Sequence, residues 1–166
     1  MSRGRLEGVT GRAVTEARAE HDEHMETYKW YPQRAGRVDL VVPEMVRRGL
    51  VNDAALRQDV ARLLTMQRIA GWTAERARAA RELGRPPGPE GSVGKLAMSS
   101  IARLAAHVHG RIAGAEGMLT GPGTAADGMV AEVLVSVPGQ SIAGGTDEIQ
   151  RNILGERMLG LPREPQ

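Results

Sequence analysis

Residues 141–163 read SIAGGTDEIQRNILGERMLGLPR, and this stretch decides the fold. A Gly144–Gly145 turn runs straight into Thr146, a residue whose hydroxyl suits a helix N-cap. Asp147 and Glu148 follow in the first turn, where carboxylates complement the positive end of the helix dipole. Ile149, Ile153, Leu154 and Met158 then recur at helical spacing and are expected to point inward, and Gly160–Pro162 stops the run. Such a capped end also presents backbone N–H groups that bind anions such as pyrophosphate, a weak signal by itself, since Gly-Gly-Thr before a helix is common as plain capping.

Working outward, 129–137 reads as a shorter helix ended by Pro138–Gly139, preceded by a loop from Gly114 to Gly128. Before that loop, Val93, Leu96, Ile101, Leu104, Val108 and Ile112 form an apolar stripe at the helical period over 89–113, with Lys95 and Arg103 off the stripe. The Gly- and Pro-rich segment 81–89 separates this helix from another over 53–83, which Asp53 can N-cap and which carries Leu56, Val60, Leu63 and Ala70 on one face. A short helix fits 38–48, with Pro43 expected near its first turn. Residues 5–31 are charged and helix-permissive until Pro32 ends them. Leu40–Val42 is cut by Pro43 and 133–137 is too short to demand a strand, so the expected fold is all-α. It is a four-helix bundle built on two long antiparallel helices, with 1–166 as one domain and 1–50 as its N-terminal helix and connector.

Composition narrows the function classes. The 166 residues hold 22 Lys and Arg against 20 Asp and Glu, a net charge of +2, so the high pI of about 9.5 does not signal a polyanion-binding surface. Aromatic content is 2 % with no Phe, which leaves little to stack on bases, and no nucleic-acid partner is expected. No stretch approaches the roughly 20 apolar residues that span a bilayer, so a soluble, cytoplasmic chain without a membrane partner is expected. The absence of Cys excludes thiolate chemistry. His21 and His24 lie among Glu20, Asp22 and Glu23, but no second ligand cluster accompanies them, and a solvated charged face is the better reading than a metal site. His107 and His109 are two apart and cannot chelate together on a helix; each is expected at a surface or interface. Pro86–Glu90 reads as a connector.

Three segments, in order, resemble one enzyme family. The block Ile142–Arg163 is similar to the C-terminal signature of acyl-CoA dehydrogenases, in which a Gly-Thr turn opens the last helix with Glu-Ile-Gln-Arg. Gly88–Leu96, with its Lys95–Leu96 pair, resembles the start of that family's long bundle helix. Arg111–Leu119 resembles its Gln-x-x-Gly-Gly-x-Gly turn. The resemblance runs from about Asp53 to the C-terminus. It implies the C-terminal bundle of a three-part enzyme whose other parts, a helical and a β-domain, hold much of the flavin and the acyl-CoA.

The resemblance further implies an FAD cofactor. It places Gly145, Thr146, Asp147, Glu148 and Ile149 near the ADP part, and Arg111, Ile112, Ala113, Gly114 and Ala115 at the flavin-contacting turn. Arg111 replaces the usual Gln, and an Arg can pair with phosphate; Ala115 replaces a usual Gly. The family's Arg-x-x-Phe-Gly motif is absent. The glutamate that many members use as base corresponds to Gly144, which cannot accept a proton. Relatives with the base on the first helix point instead to Glu16, Glu20 or Glu23, with Glu20 the candidate. Mixed-subunit members, in which a partner chain completes the site, make three readings natural. One is an FAD-dependent acyl-CoA dehydrogenase component acting on an acyl-CoA substrate with a partner chain or a second copy. Another is a non-catalytic bundle subunit for assembly or cofactor support. The last is a piece of a full-length dehydrogenase.

Overall fold

A computed structural model describes residues 32–86 and 88–163, which contain helices α1 (Val38–Arg47), α2 (Ala54–Glu82), α3 (Glu90–Ala113), α4 (Met129–Gln140) and α5 (Asp147–Met158). Among the described residues there is no strand. The helix expected over 5–31, with Glu16, Glu20, Glu23, His21 and His24, lies outside them. The four longest helices form an all-α bundle with α3 at its centre: α2, α4 and α5 each pack on it, and α1 packs across it.

Local chemistry sets the ends of these helices as expected. Asp53 is extended, and its carboxylate accepts the Leu56 N–H at 2.8 Å to start α2. Thr146 is extended too, and its hydroxyl accepts the Ile149 N–H at 3.3 Å to start α5. Two prolines behave differently from expectation. Pro43 is the sixth residue of α1, beyond the first turn, and Pro138 lies inside α4, which runs on to Gln140. Each lacks only the N–H that would have met the carbonyl four residues back. Near the end of α4 that loss is offset by a tightened turn, in which Ser141 N–H donates to Pro138 O at 3.1 Å and Ala143 N–H to Gly139 O at 2.9 Å. The 114–128 loop contains two 3-10 turns, Gly114–Met118 and Ala125–Gly128.

The core lies on more than one side of α3. Ile101, Ala105, Val108 and Ile112 pack with Leu56, Val60 and Leu63 of α2 and Val41 and Met45 of α1. Ala102 and Ala106 pack with Val133 and Val137 of α4. Each fully buried Leu or Val contributes about 1.5–3 kcal/mol, and the alanines let α4 approach closely. The chain also crosses α3 tightly at Gly36, whose φ is +85° and where a Cβ would stand 2.7 Å from the Ala105 Cβ. His109 holds that crossing. Where a surface or interface position was expected, it is buried inside the bundle, with Nε2 3.1 Å from both the Gly36 and Arg37 carbonyls.

The inward face of α5 also differs from expectation. Ile149 and Met158 are exposed, Ile153 and Leu154 are half-buried, and Asp147 and Gln150 are the buried positions. The helix is rotated so that a polar edge meets α3, because α3 offers cations there.

Candidate functional site

Lys95, Ser99 and Arg103 recur every four residues, so successive turns of α3 present them along one edge. Lys95 Nζ donates to the Ser141 carbonyl at 3.0 Å and to Asp147 Oδ1 at 2.7 Å. Ser99 Oγ donates to the Gln140 carbonyl at 3.2 Å. Arg103 donates to Asp147 Oδ2 at 2.7 Å and to the Ser141 hydroxyl. The Asp147 N–H closes the loop by donating back to the Ser141 carbonyl at 3.0 Å. The segment 141–147 is therefore a cinched turn, tied at both ends to one edge of α3.

Burial alone would push the Asp147 carboxyl up, but the hydrogen bonds from Lys95 and Arg103 outweigh it and hold the group well below the usual carboxylate range. Its side chain is 5 % exposed, that of Lys95 13 % and that of Arg103 46 %, so the negative charge is screened by protein cations and not by water. Asp147 occupies the first turn as expected, with a second task besides the helix dipole. Glu148 faces solvent, and its carboxyl is lowered chiefly by its own backbone N–H, then by the Thr146 hydroxyl, with Arg151 3.2 Å away.

Above this base the Ile142–Gly145 stretch is exposed. Gly144 and Gly145 have φ of +67° and +89°, the left-handed region that favours glycine. Gln150 is buried beneath them and donates from Nε2 to the Gly144 carbonyl at 3.0 Å. The helix start is less open than expected, because Asp147 N–H is spent on Ser141 and Ile149 N–H on Thr146.

The second candidate segment lies further along α3. Counting from Arg103, Gly114 is about 16 Å along the axis at 1.5 Å per residue, so the two segments cannot grip one phosphate together. Arg111 pairs with Asp59 and reaches Asp53 at 4.0 Å, so its guanidinium is already engaged by α2 and its cap. Ile112 and Ala113 are buried in the core, whereas Gly114, with φ +59°, and Ala115 are exposed. Glu20 lies outside the described residues, and Gly144 offers no proton acceptor. Among the described residues no group of three His, Asp or Glu side chains could hold a metal ion, and no helix is long and apolar enough to cross a membrane.

The residues that sequence reasoning missed are Lys95, Ser99, Arg103 and Gln150. The four-residue spacing of the first three was the available signal: a polar edge beside an apolar stripe on a central helix needs a buried partner.

Residues 43–159 match the family described as acyl-CoA dehydrogenase, C-terminal domain. Among solved structures, one described as Tcur3481-Tcur3483 steroid ACAD superposes with a TM-score of 0.63 at 20 % identity, over 76 % of this chain and 34 % of that chain. The ChsE4-ChsE5 complex from Mycobacterium tuberculosis superposes with a TM-score of 0.60 at 24 % identity, over 69 % of this chain and 30 % of that chain. Identities this low show a shared fold. The chain spans about a third of the length of these solved chains. No curated protein matches the sequence.

Proposed function

The chain belongs to the acyl-CoA dehydrogenase family through its C-terminal domain, and from that premise we propose that it is one component of an FAD-dependent acyl-CoA dehydrogenase completed by a partner chain or by further domains. The observation that carries the proposal is the cinched 141–147 turn. A carboxylate beside the Gly144–Gly145 turn would repel a phosphate, yet Asp147 is turned inward onto Lys95 and Arg103, and Glu148 faces solvent beside Arg151. The exposed glycine backbone is thus open to the pyrophosphate or ADP end of the cofactor, and the residues present fit it there. Gly145, Thr146, Glu148 and Ile149 would line that contact, with Asp147 acting from beneath. Gly114 and Ala115, with Arg111 if it leaves Asp59, would meet a different part of a flavin.

A bound flavin would accept the hydride from the β-carbon of the acyl thioester. The α-proton must go to a base, which Gly144 cannot be; the partner chain or Glu20 would provide it. The β-domain and most of the acyl-CoA pocket would come from the rest of the assembled enzyme. A structure similar to this one is described as a complex of two differently named proteins, which favours a hetero-oligomer over a second copy of this chain. Residues 1–166 would act as one domain of that assembly, in the cytoplasm.

Two observations favour the non-catalytic alternative: Gly144 has no side chain, and Arg111 is engaged by Asp59. Capture of the tagged chain from its native cells separates the two. A yellow complex with a second dehydrogenase-like chain that desaturates acyl-CoA is expected. A colourless complex would leave an assembly subunit.

A further inference from the structure

Resting on the assignment of the 141–147 turn to the ADP end of FAD, we propose that Lys95, Asp147 and Arg103 are positioning residues that set this turn's conformation for the cofactor without touching it. Lys95 grips both the first and last residues of the turn, at the Ser141 carbonyl and the Asp147 carboxylate. Arg103 does the same through the Ser141 hydroxyl and the other carboxylate oxygen. Two cations on one helix therefore hold both ends of a single turn at fixed spacing. Gln150 closes it from the third side, and a Cβ on Gly145 would stand 2.9 Å from the Gln150 Nε2, so the turn cannot settle inward.

Stability alone does not call for this arrangement. A nearly buried ion pair is often matched or bettered by apolar side chains of similar volume, because desolvation cancels much of the Coulomb gain. What apolar replacements cannot reproduce is direction: five hydrogen bonds to named oxygens and one ring closure fix where the Gly144 and Gly145 amides lie. Apart from Gln150 and Ile149 beneath it, the supported Ile142–Gly145 backbone faces solvent, so the face it presents is directed outside the bundle.

The test uses the flavin-containing complex captured with the full chain, stripped of FAD and titrated with it. Lys95→Met combined with Asp147→Leu removes the charges together and leaves an apolar pair of similar size. The expected result is wild-type-like melting with FAD Kd raised about tenfold or more, as for loss of charge-assisted hydrogen bonds. Lys95→Arg, which keeps the charge and the donors, is expected to stay within about threefold of wild type. A merely structural role predicts that the double variant, once stable, binds FAD as the wild type does, and that result would overturn the proposal. Should the double variant fail to fold, Arg103→Met decides instead, since that side chain is half-exposed: weaker FAD binding supports the proposal and an unchanged Kd overturns it. A wild-type complex without flavin is a different failure, because it removes the functional assignment itself and the positioning role with it.

Discussion

Replacing Asp147 with Asn tests whether the α3–α5 junction is held by charge. The substitution keeps the shape but leaves Lys95, whose side chain is 13 % exposed, without its anion. Breaking a buried pair from one side costs about 3–5 kcal/mol. Asn retains an acceptor for Lys95, and Arg103 can turn to water, so the expected loss lies at the lower end, about 3 kcal/mol. For a chain of this length that lowers Tm by roughly 10 °C. Urea unfolding at fixed protein concentration measures it, since association would otherwise shift the midpoint. The acid dependence gives an independent check with a definite sign. The folded Asp147 carboxyl is held below its unfolded value, so its contribution is complete above about pH 4 and is lost as pH falls further. The gap between wild type and Asp147→Asn should therefore be constant from neutral pH to about pH 4 and close below it. A loss under about 1 kcal/mol, or a gap that closes near neutrality, would refute the ion-pair account.

Gly145→Val should deplete flavin in the assembled complex while helical content, read by circular dichroism, is unchanged, because φ is +89° and the new Cβ meets Gln150; full flavin content would reduce the turn to plain capping. His109 is buried, and burial first of all lowers its pKa against the opposing pull of the Arg37 and Gly36 carbonyls. Its depressed folded value means that stability is lost as pH falls through and below about 6.5, and thermal melts of His109→Gln should lack that loss. Leu63→Ala, at a fully buried site between α2 and α3, should cost about 2–5 kcal/mol in urea unfolding. The isolated chain should self-associate at micromolar concentration, because Leu64, Ile69 and Trp72 stand exposed on α2; light scattering from a stable monomer would count against it.

Much of the fold was legible along the chain because its determinants are local. Asp53 and Thr146 cap where their side chains reach the next turn, the Gly and Pro segments interrupt, and the stripe on α3 repeats at the helical period. The two prolines depart from the local rule because a missing N–H can be tolerated where the helix is about to end, as at Pro138, or where neighbouring helices hold the segment, as at Pro43. The burial of His109 is not legible in the sequence, because spacing records only which face a side chain shares. That a glycine crossing would bring two carbonyls to it depends on Gly36, distant in sequence.

The same division applies to the candidate site. A glycine turn meeting a Thr-capped helix start, and membership of the acyl-CoA dehydrogenase family, could both be read along the chain. Those properties belong to short stretches, and short stretches carry them wherever they are placed. Packing alone sets the inward turn of Asp147, the outward faces of Ile149 and Met158, and the hold of Asp59 on Arg111. Each of these outcomes is a competition between partners tens of residues apart. Coulomb attraction across the packed α3–α5 and α2–α3 surfaces wins it, at distances that exist only once the helices have docked.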